Sequence, residues 1–496
     1  MHFIVKLFPE ITIKSGPVRK RFVKQLCQNM SILLKQIDES IVVKSDWDRI
    51  EVRCKHDDER VMARTAEVLA HTPGIANFSK VQPFDLGNLE YIFQKTLAVC
   101  GASLEGKTFV VRVRRHGEHD FNSLEVERYV GGGLNLHTDA AGVSLKNPDI
   151  TVRLEIKHDK LYVVEQQTPG LGGFPLGTQE PVLSLVSGGF DSTVSSYLMI
   201  KRGLRTHFCF FNLGGRAHET AVKEVAFYLW NKYGASHRVK FVTVPFEGVV
   251  SEILQNVSNS QMGVVLKRMM LRAATRVAER MKIDALVTGE AVAQVSSQTL
   301  TNLAVIDSAT EKLVLRPLIV MDKGDIIDMS RKIGTENFSA SVPEYCGVIS
   351  VKPTTCAKEE KIAKEEAAFD FAVLEQALDD TKVQLIDRVV DDLLREGQAQ
   401  APVKQVSSLD PKQVVIDIRH PDEEALRPLV LGINATALEG IEILKIPFFS
   451  LNSRLATLDK NVEYLLYCQK GIMSTLHAAH LEDDGFANVG VYRPEK

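Results

Sequence analysis

The stretch from Pro181 to about Val320 constrains the fold most, because apolar strand-like runs alternate there with helix-like ones. Strands are expected at Val182–Val186, Thr206–Phe211, Lys240–Val244 and Ile283–Val287, with helices between them, the clearest from Val264 to Met281. Alternation of this kind builds a parallel, doubly wound sheet. Directly after the first strand comes Ser187-Gly188-Gly189-Phe190-Asp191-Ser192, then a helix from Ser192 to Lys201 that Gly203 closes. Adjacent glycines let backbone N–H groups approach an anion closely, and the helix N-terminus adds a favourable dipole. Ser187 and Ser192 contribute hydroxyl donors, and Asp191 can hold magnesium, which takes oxygen ligands and accompanies phosphates. The turn matches neither G-x-x-x-x-G-K-[ST] nor G-x-G-x-x-G. A capped strand-to-helix turn would account for the glycines alone; the whole hexapeptide in this setting reads as a phosphate loop.

On either side the chain divides into smaller α/β blocks. At its start Lys6, Lys14, Arg19, Lys20, Arg21 and Lys24 stand against Glu10 alone, and Val18, Phe22 and Leu26 mark an amphipathic helix with a basic outer face. Ile41–Val43 and Ile50–Val52 read as strands, giving a first unit over residues 1–60. A second α/β module spans 61–167. In it Thr108 to Arg115 alternates apolar and basic positions, a strand with a cationic face, and a helix from Ser123 to Val130 is expected to end at Gly131-Gly132-Gly133. Residues 168–177, rich in Gly and Pro, read as a linker to a block over 178–395. A charged helical stretch from Ala357 to Gly397 leads to a last α/β block, 403–496. With 60 basic against 63 acidic residues and a net charge of -3, any nucleic acid has to be held by local patches such as the basic helix and Arg112, Arg114 and Arg115. No run approaches the roughly 18 apolar residues of a membrane span, and no signal-peptide layout opens the chain, so a cytoplasmic protein without a membrane partner is expected.

Seven cysteines, an odd number, fit a reducing compartment in which a cysteine that matters is reactive. Cys468 ends the apolar run Tyr464–Tyr467 and opens Cys468-Gln469-Lys470-Gly471-Ile472-Met473-Ser474 before a further helix. A loop of this kind offers backbone N–H groups and positive charge to a thiolate. Cys346 lies in the turn-rich segment Pro343-Glu344-Tyr345-Cys346-Gly347 and Cys356 ten residues later, and C-x9-C spacing is poor for zinc, so no metal site is assigned. Cys209 reads as core, and Cys27, Cys54 and Cys100 as structural.

The hexapeptide resembles the pyrophosphate loop of the ATP pyrophosphatases. Together with Phe3-Ile4-Val5-Lys6-Leu7, Pro9-Glu10-Ile11, the basic helix and Phe121 through Gly133, it resembles the tRNA 4-thiouridine synthetase family over essentially the full chain. The resemblance implies a ferredoxin-like module, a THUMP module, a pyrophosphatase (PP-loop) domain and a rhodanese-like domain, the last suggested by Asp417-Ile418-Arg419. It also implies that ATP meets Leu185, Val186, Ser187, Gly188, Gly189 and Ser192, with Lys267, Gly289 and Gln298 as further contacts, and Mg²⁺ as companion ion. Asp191 and Lys323 would assist adenylation of a uridine O4. Cys468 would carry a persulfide received from a cysteine desulfurase, and Cys346 would resolve it, with Cys356 a rival for that role. The expected product is 4-thiouridine at position 8 of tRNA. A second role in sulfur delivery for the thiazole of thiamine, through a sulfur carrier protein, and a homodimer are implied as well. Two other readings stay open: a related ligase using an amine nucleophile, and a tRNA-binding sulfur carrier without ATP chemistry.

Overall fold

The computed structural model describes the chain except residues 47–48, 57, 214, 342–352, 390–403, 411, 420–423, 425–427, 430–440, 448–450, 456, 469–473, 475–476, 479–480, 482–485, 487 and 495–496. Two compact units emerge, Met1–Gln179 with Lys201–Gly203, and Glu180–Ile200 with Leu204–Lys496.

The first unit is built on a single eight-stranded sheet that runs through both N-terminal modules. Its strands are β1 (His2–Leu7), β2 (Val42–Asp46), β3 (Arg49–Arg53), β4 (Ile75–Asp85), β5 (Thr108–His116), β6 (Gly142–Val143), β7 (Ile150–Lys157) and β8 (Lys160–Pro169). They lie in the order β2-β3-β1-β4-β8-β7-β5-β6. The period-2 pattern of β1 sends Phe3, Val5 and Leu7 into a core with Phe22, Leu26, Met30 and Leu34 of the helix Gly16–Lys35. The same helix leaves Lys20, Arg21 and Lys24 exposed, so its basic face is real. The alternate residues of the strands carry charge: Arg49 Nη2 donates to Glu51 Oε1 at 2.8 Å and its guanidinium lies 4.6 Å from the Tyr162 ring centre. On β5, Arg112 and Arg114 are exposed.

Two expectations need correction. The helix from Ser123 does not end at the three glycines but continues to His137. Packing overrides propensity here: a Cβ on Gly133 would sit 2.6 Å from the buried Phe93 ring, so glycine lets this helix approach Leu89–Cys100. A Cβ on Gly132 would meet nothing within 4 Å. Gly133→Val should therefore cost about 1–3 kcal/mol by overpacking, whereas Gly132→Ala should gain up to about 1 kcal/mol by helix propensity; urea denaturation of the two variants checks the contrast. The stretch Ala357–Gly397 is not one helix either. Its described part, residues 357–389, forms the helices Glu359–Ala368 and Ala372–Asp379 and then a strand, Lys382–Leu385, whose alternating apolar residues suit an edge, while residues 390–397 lie outside the described residues.

That strand, β14, belongs to the six-stranded sheet of the second unit. The others are β9 (Gln179–Leu185), β10 (Leu204–Asn212), β11 (Lys240–Pro245), β12 (Ala285–Val287) and β13 (Leu313–Leu315), in the order β13-β12-β9-β10-β11-β14. β10 and β11, β12 and β9, and β12 and β13 run parallel, while β14 is antiparallel to β11. The chain winds outward from β9 through β10 to β11, then returns to place β12 on the other side of β9. Such a reversal opens a crevice at the carboxyl ends of the two central strands. Phe211, Val242, Val244, Val265, Met269 and Leu286 pack within the core behind it.

A third, five-stranded sheet is parallel throughout: β15 (Gln405–Val406), β16 (Gln413–Asp417), β17 (Ile443–Lys445), β18 (Glu463–Tyr467) and β19 (Val489–Tyr492), ordered β15-β19-β18-β16-β17. Among the described residues no helix is long and apolar enough to cross a membrane.

Candidate active site

The loop after β9 and the loop after β12 meet in the crevice. Gly188 takes φ +82°, a conformation that would strain any residue with a side chain, and so turns the chain sharply into the helix Phe190–Lys201. Ser192 closes the turn from inside the helix: its Oγ accepts the Ser187 N–H at 3.1 Å and donates to the Gly189 carbonyl at 3.2 Å. From the other loop, a Cβ on Gly289 would lie 2.6 Å from the Asp191 carbonyl carbon and the Ser192 nitrogen. Only glycine fits that contact, and Gly289→Val should push the helix start away. Loss of nucleotide affinity by at least about tenfold, one 1.4 kcal/mol step, is the expected titration result.

Asp191, in the first helical turn, collects the site's cation. Lys323 Nζ donates to its two carboxylate oxygens at 2.8 and 2.9 Å, and Gln294 Nε2 to Oδ2 at 2.8 Å. Lys323 is the first residue of the helix Lys323–Ile333 and lies 5.7 Å from the Phe190 ring centre. A second charge group stands nearby. Lys267 Nζ donates to Glu290 Oε1 at 2.7 Å, while Arg316 Nε donates to Glu290 Oε2 at 2.9 Å and its Nη1 to Asp307 at 3.0 Å. Burial pushes the Glu290 carboxyl up, but the two cations outweigh it and hold it below the ordinary carboxylate range.

Of these groups Asp191, Gln294, Lys267 and Glu290 line a cavity of about 320 Å³, whereas Lys323 and Arg316 stand behind Asp191 and Glu290 and do not line it; the volume is within the usual range for small-molecule sites. Leu185, Val186, Phe211, Leu213, Val264 and Leu271 form apolar wall, and Ser187, Gly189, Asp191, Ser192, Lys267, Gly289, Glu290 and Gln298 line it as well. Gln298 is buried and its Oε1 accepts no hydrogen bond within the protein. A bound molecule that donates to this oxygen would relieve the cost of leaving it dry. The apolar wall, the orphaned acceptor and the loop amides together fit a nucleotide, base inward and phosphates at the loop. The Asp191 carboxylate offers the hard oxygen donor that phosphate-bound magnesium uses.

A second site lies at the end of β18. Cys468 is 9% exposed, and its Sγ accepts the Ser474 N–H at 3.2 Å and lies 3.4 Å from Ser474 Oγ. The intervening residues 469–473, including Lys470, lie outside the described residues. Arg419 Nε donates to Asp417 at 2.9 and 3.2 Å, with both side chains buried, and its guanidinium sits 5.1 Å from the Tyr467 ring centre. That pair braces the strand ends from which Cys468 projects. Cys346 lies outside the described residues. Cys356 is exposed, and its N–H donates to Oγ1 of Thr354, a residue that lines the cavity. Burial pushes the Cys209 thiol up to about 12 and those of Cys27 and Cys100 to about 11, the behaviour of inert core thiols.

Over its full length the chain is 60% identical to the whole of a tRNA sulfurtransferase from Saccharophagus degradans, and 56% identical to the whole of one from Colwellia psychrerythraea. The chain belongs to the tRNA sulfurtransferase family. Residues 177–371 match the family described as thiamine biosynthesis protein (ThiI), residues 87–164 the THUMP domain, and residues 2–79 the ThiI ferredoxin-like domain. The fold is shared with a 4-thiouridine synthetase crystallised with RNA and bound ATP, at TM-score 0.68 and 24% identity, covering 77% of this chain and 99% of that one. It is shared also with PH1313 from Pyrococcus horikoshii, at TM-score 0.52 and 21% identity.

Several residues of the site escape a reading of the sequence. Gln294 and Glu290 stand in segments that mark the loop after β12, yet nothing local says that one meets Asp191 and the other Lys267. Arg316 follows the short β13 and gives no signal at all. His218, whose Nε2 lies 3.2 Å from the Ser187 carbonyl, is held towards neutrality by burial, though the Ser187 contact opposes this. Each is brought to the loop by contacts between residues far apart in the chain.

Proposed function

We propose that the enzyme uses ATP to convert uridine to 4-thiouridine at position 8 of tRNA. Its two chemical centres are the cavity at Ser187–Ser192 and the thiol of Cys468. The observation that carries this reading is the convergence of Lys323 and Gln294 on Asp191 beside the glycine turn and the orphaned Gln298 acceptor. Uridine O4 attacks the α-phosphate of ATP and pyrophosphate leaves. The loop amides, Ser187 and Ser192 hold the departing phosphates, and Lys323 neutralises charge that grows on them. Asp191 would hold magnesium, which supplies Lewis-acid stabilisation of phosphate oxygen when bound. Lys267, oriented by Glu290, adds a second cation.

Sulfur arrives from a cysteine desulfurase as a persulfide on Cys468, where the Ser474 N–H faces Sγ. We assign the C-terminal sheet to a rhodanese-like domain on the Asp417–Arg419 brace and that cysteine loop. The terminal sulfur attacks the activated carbon and AMP leaves; Cys346 then attacks Sγ of Cys468, freeing the transferred sulfur and leaving a disulfide for a cellular reductant to cleave. The exposed basic helix and the Arg112–Arg114 strand offer the phosphate contacts that a folded RNA needs. Sulfur delivery for thiamine thiazole is consistent with the same persulfide.

Nucleoside mass analysis tests the reading: unmodified tRNA is incubated with the enzyme, MgATP, cysteine and a cysteine desulfurase. A uridine gaining sulfur for oxygen is expected, lost on Cys346→Ala. Loss on Cys356→Ala instead moves the resolving role to Cys356. AMP formation without thiolation overturns the sulfur chemistry and favours a ligase.

A further inference from the structure

The N-terminal module carries a cluster that none of this chemistry uses. Asp38 lies in the turn after the helix Gly16–Lys35, and Cys54 and His56 follow the end of β3. Asp38 Oδ2 is 2.7 Å from His56 Nδ1 and 3.6 Å from Cys54 Sγ, and the three donor atoms lie within 4.8 Å of one another. Among the described residues this is the one grouping of three histidine, cysteine or acidic side chains close enough to share an ion. We propose that Asp38, Cys54 and His56 bind a divalent transition-metal ion, with zinc the chemically matched choice.

The donor set is the first argument. One thiolate, one imidazole and one carboxylate are the three ligand types zinc accepts, whereas magnesium and calcium take oxygen. Geometry is the second. A tetrahedral zinc with Zn–S of about 2.3 Å and Zn–O of about 2.0 Å sets sulfur and oxygen about 3.5 Å apart; here they stand at 3.6 Å. The nitrogen and oxygen must part from 2.7 Å to about 3.3 Å for the same tetrahedron. The His56 side chain is 65% exposed and free to make that move, while the Asp38 side chain is only 13% exposed and fixed.

The fixing has a visible cause. The Ser40 N–H donates to Asp38 Oδ1 at 2.7 Å, which leaves Oδ2 turned to the thiol and the imidazole. Outer contacts of this kind orient metal-binding carboxylates. Ser40 Oγ, 3.4 Å from Cys54 Sγ, and water are available for the fourth position. A surface Asp–His pair explains the 2.7 Å contact by itself, but not the buried thiol on the same oxygen. Without metal, protons occupy the space between the three donors. Binding sends the Cys54 thiol proton to solvent, while His56 ligates through Nδ1 as the neutral imidazole that carries its proton on Nε2. The ion would tie the end of the basic helix to β3, and through the Cys54 N–H, which donates to the Met1 carbonyl at 3.0 Å, to the start of β1.

The full-length protein, reduced and stripped with a chelator, is equilibrated with Zn²⁺ or Co²⁺ and freed of excess ion by gel filtration. Because other thiols also bind zinc, the difference between proteins is the readout. Wild type should retain one more equivalent of metal than either Cys54→Ser or His56→Ala, and show a cobalt–thiolate absorption band that both variants lose. Zinc should raise the unfolding temperature of wild type and not of His56→Ala, whose exposed side chain is not needed for folding. Equal metal content in wild type and the two variants, or none in wild type, overturns the proposal.

Discussion

Asp191→Asn should lower tRNA thiolation by about a hundred- to a thousandfold while leaving tRNA affinity unchanged. The substitution keeps the shape of the side chain and removes its charge. Three consequences follow from one carboxylate. The anion that pairs with Lys323 at 2.8 Å is gone, so the ammonium is no longer held beside the turn. The acceptor of the Gln294 amide is weakened. The one carboxylate in the first turn of the helix can no longer take a cation that accompanies phosphates. Because Asp191 and Lys323 act as a unit, their effects should not multiply. Asp191→Asn, Lys323→Ala and the double variant should be similarly impaired in pyrophosphate release, as groups in one catalytic assembly usually are. A double variant impaired by the product of the two single effects would show that the 2.8 Å contact is incidental.

How far the sequence discloses this site depends on how local each contact is. Ser187–Ser192 is legible because strand, turn and helix follow one another, and Ser192 reaches back only a few residues to the Ser187 N–H. The crevice itself follows from alternation, since outward winding from β9 and return to β12 place two loops together. What meets across it is not legible. Gln294 finds Asp191, and Arg316 finds Glu290, only because Gly289 lets the second loop press against the first. The glycine triplet at 131–133 misleads for a related reason. Propensity alone would stop the helix there, but the close approach of Phe93 repays a residue without Cβ. Alternation of polar and apolar residues in Lys382–Leu385 was a strand signal hidden in a charged stretch. The cluster of Asp38, Cys54 and His56 has no motif spacing, since the turn after one helix meets the end of a hairpin strand.

Cys468→Ser should abolish sulfur transfer from the desulfurase, because a hydroxyl is not ionised near neutral pH and cannot carry a persulfide. The exchange of sulfur for oxygen is small and leaves the Ser474 N–H an acceptor, so the C-terminal sheet should keep its stability. Adenylation draws on different residues, so pyrophosphate release in the presence of tRNA should survive this substitution although it is lost in Asp191→Asn. The two variants therefore separate the reaction into halves: one accepts a persulfide and cannot activate uridine, and the other activates uridine and has no sulfur to deliver. Excess inorganic sulfide sharpens the test, since an activated carbon needs only a nucleophile. Sulfide should restore thiolation to Cys468→Ser and not to Asp191→Asn. Persulfide labelling followed by peptide mapping reads the same division directly, with the label expected on Cys468 in Asp191→Asn and absent from Cys468→Ser. Unchanged thiolation by Cys468→Ser with the desulfurase as sole sulfur source would place the carrier elsewhere, with exposed Cys356 at the rim of the nucleotide cavity the first position to examine.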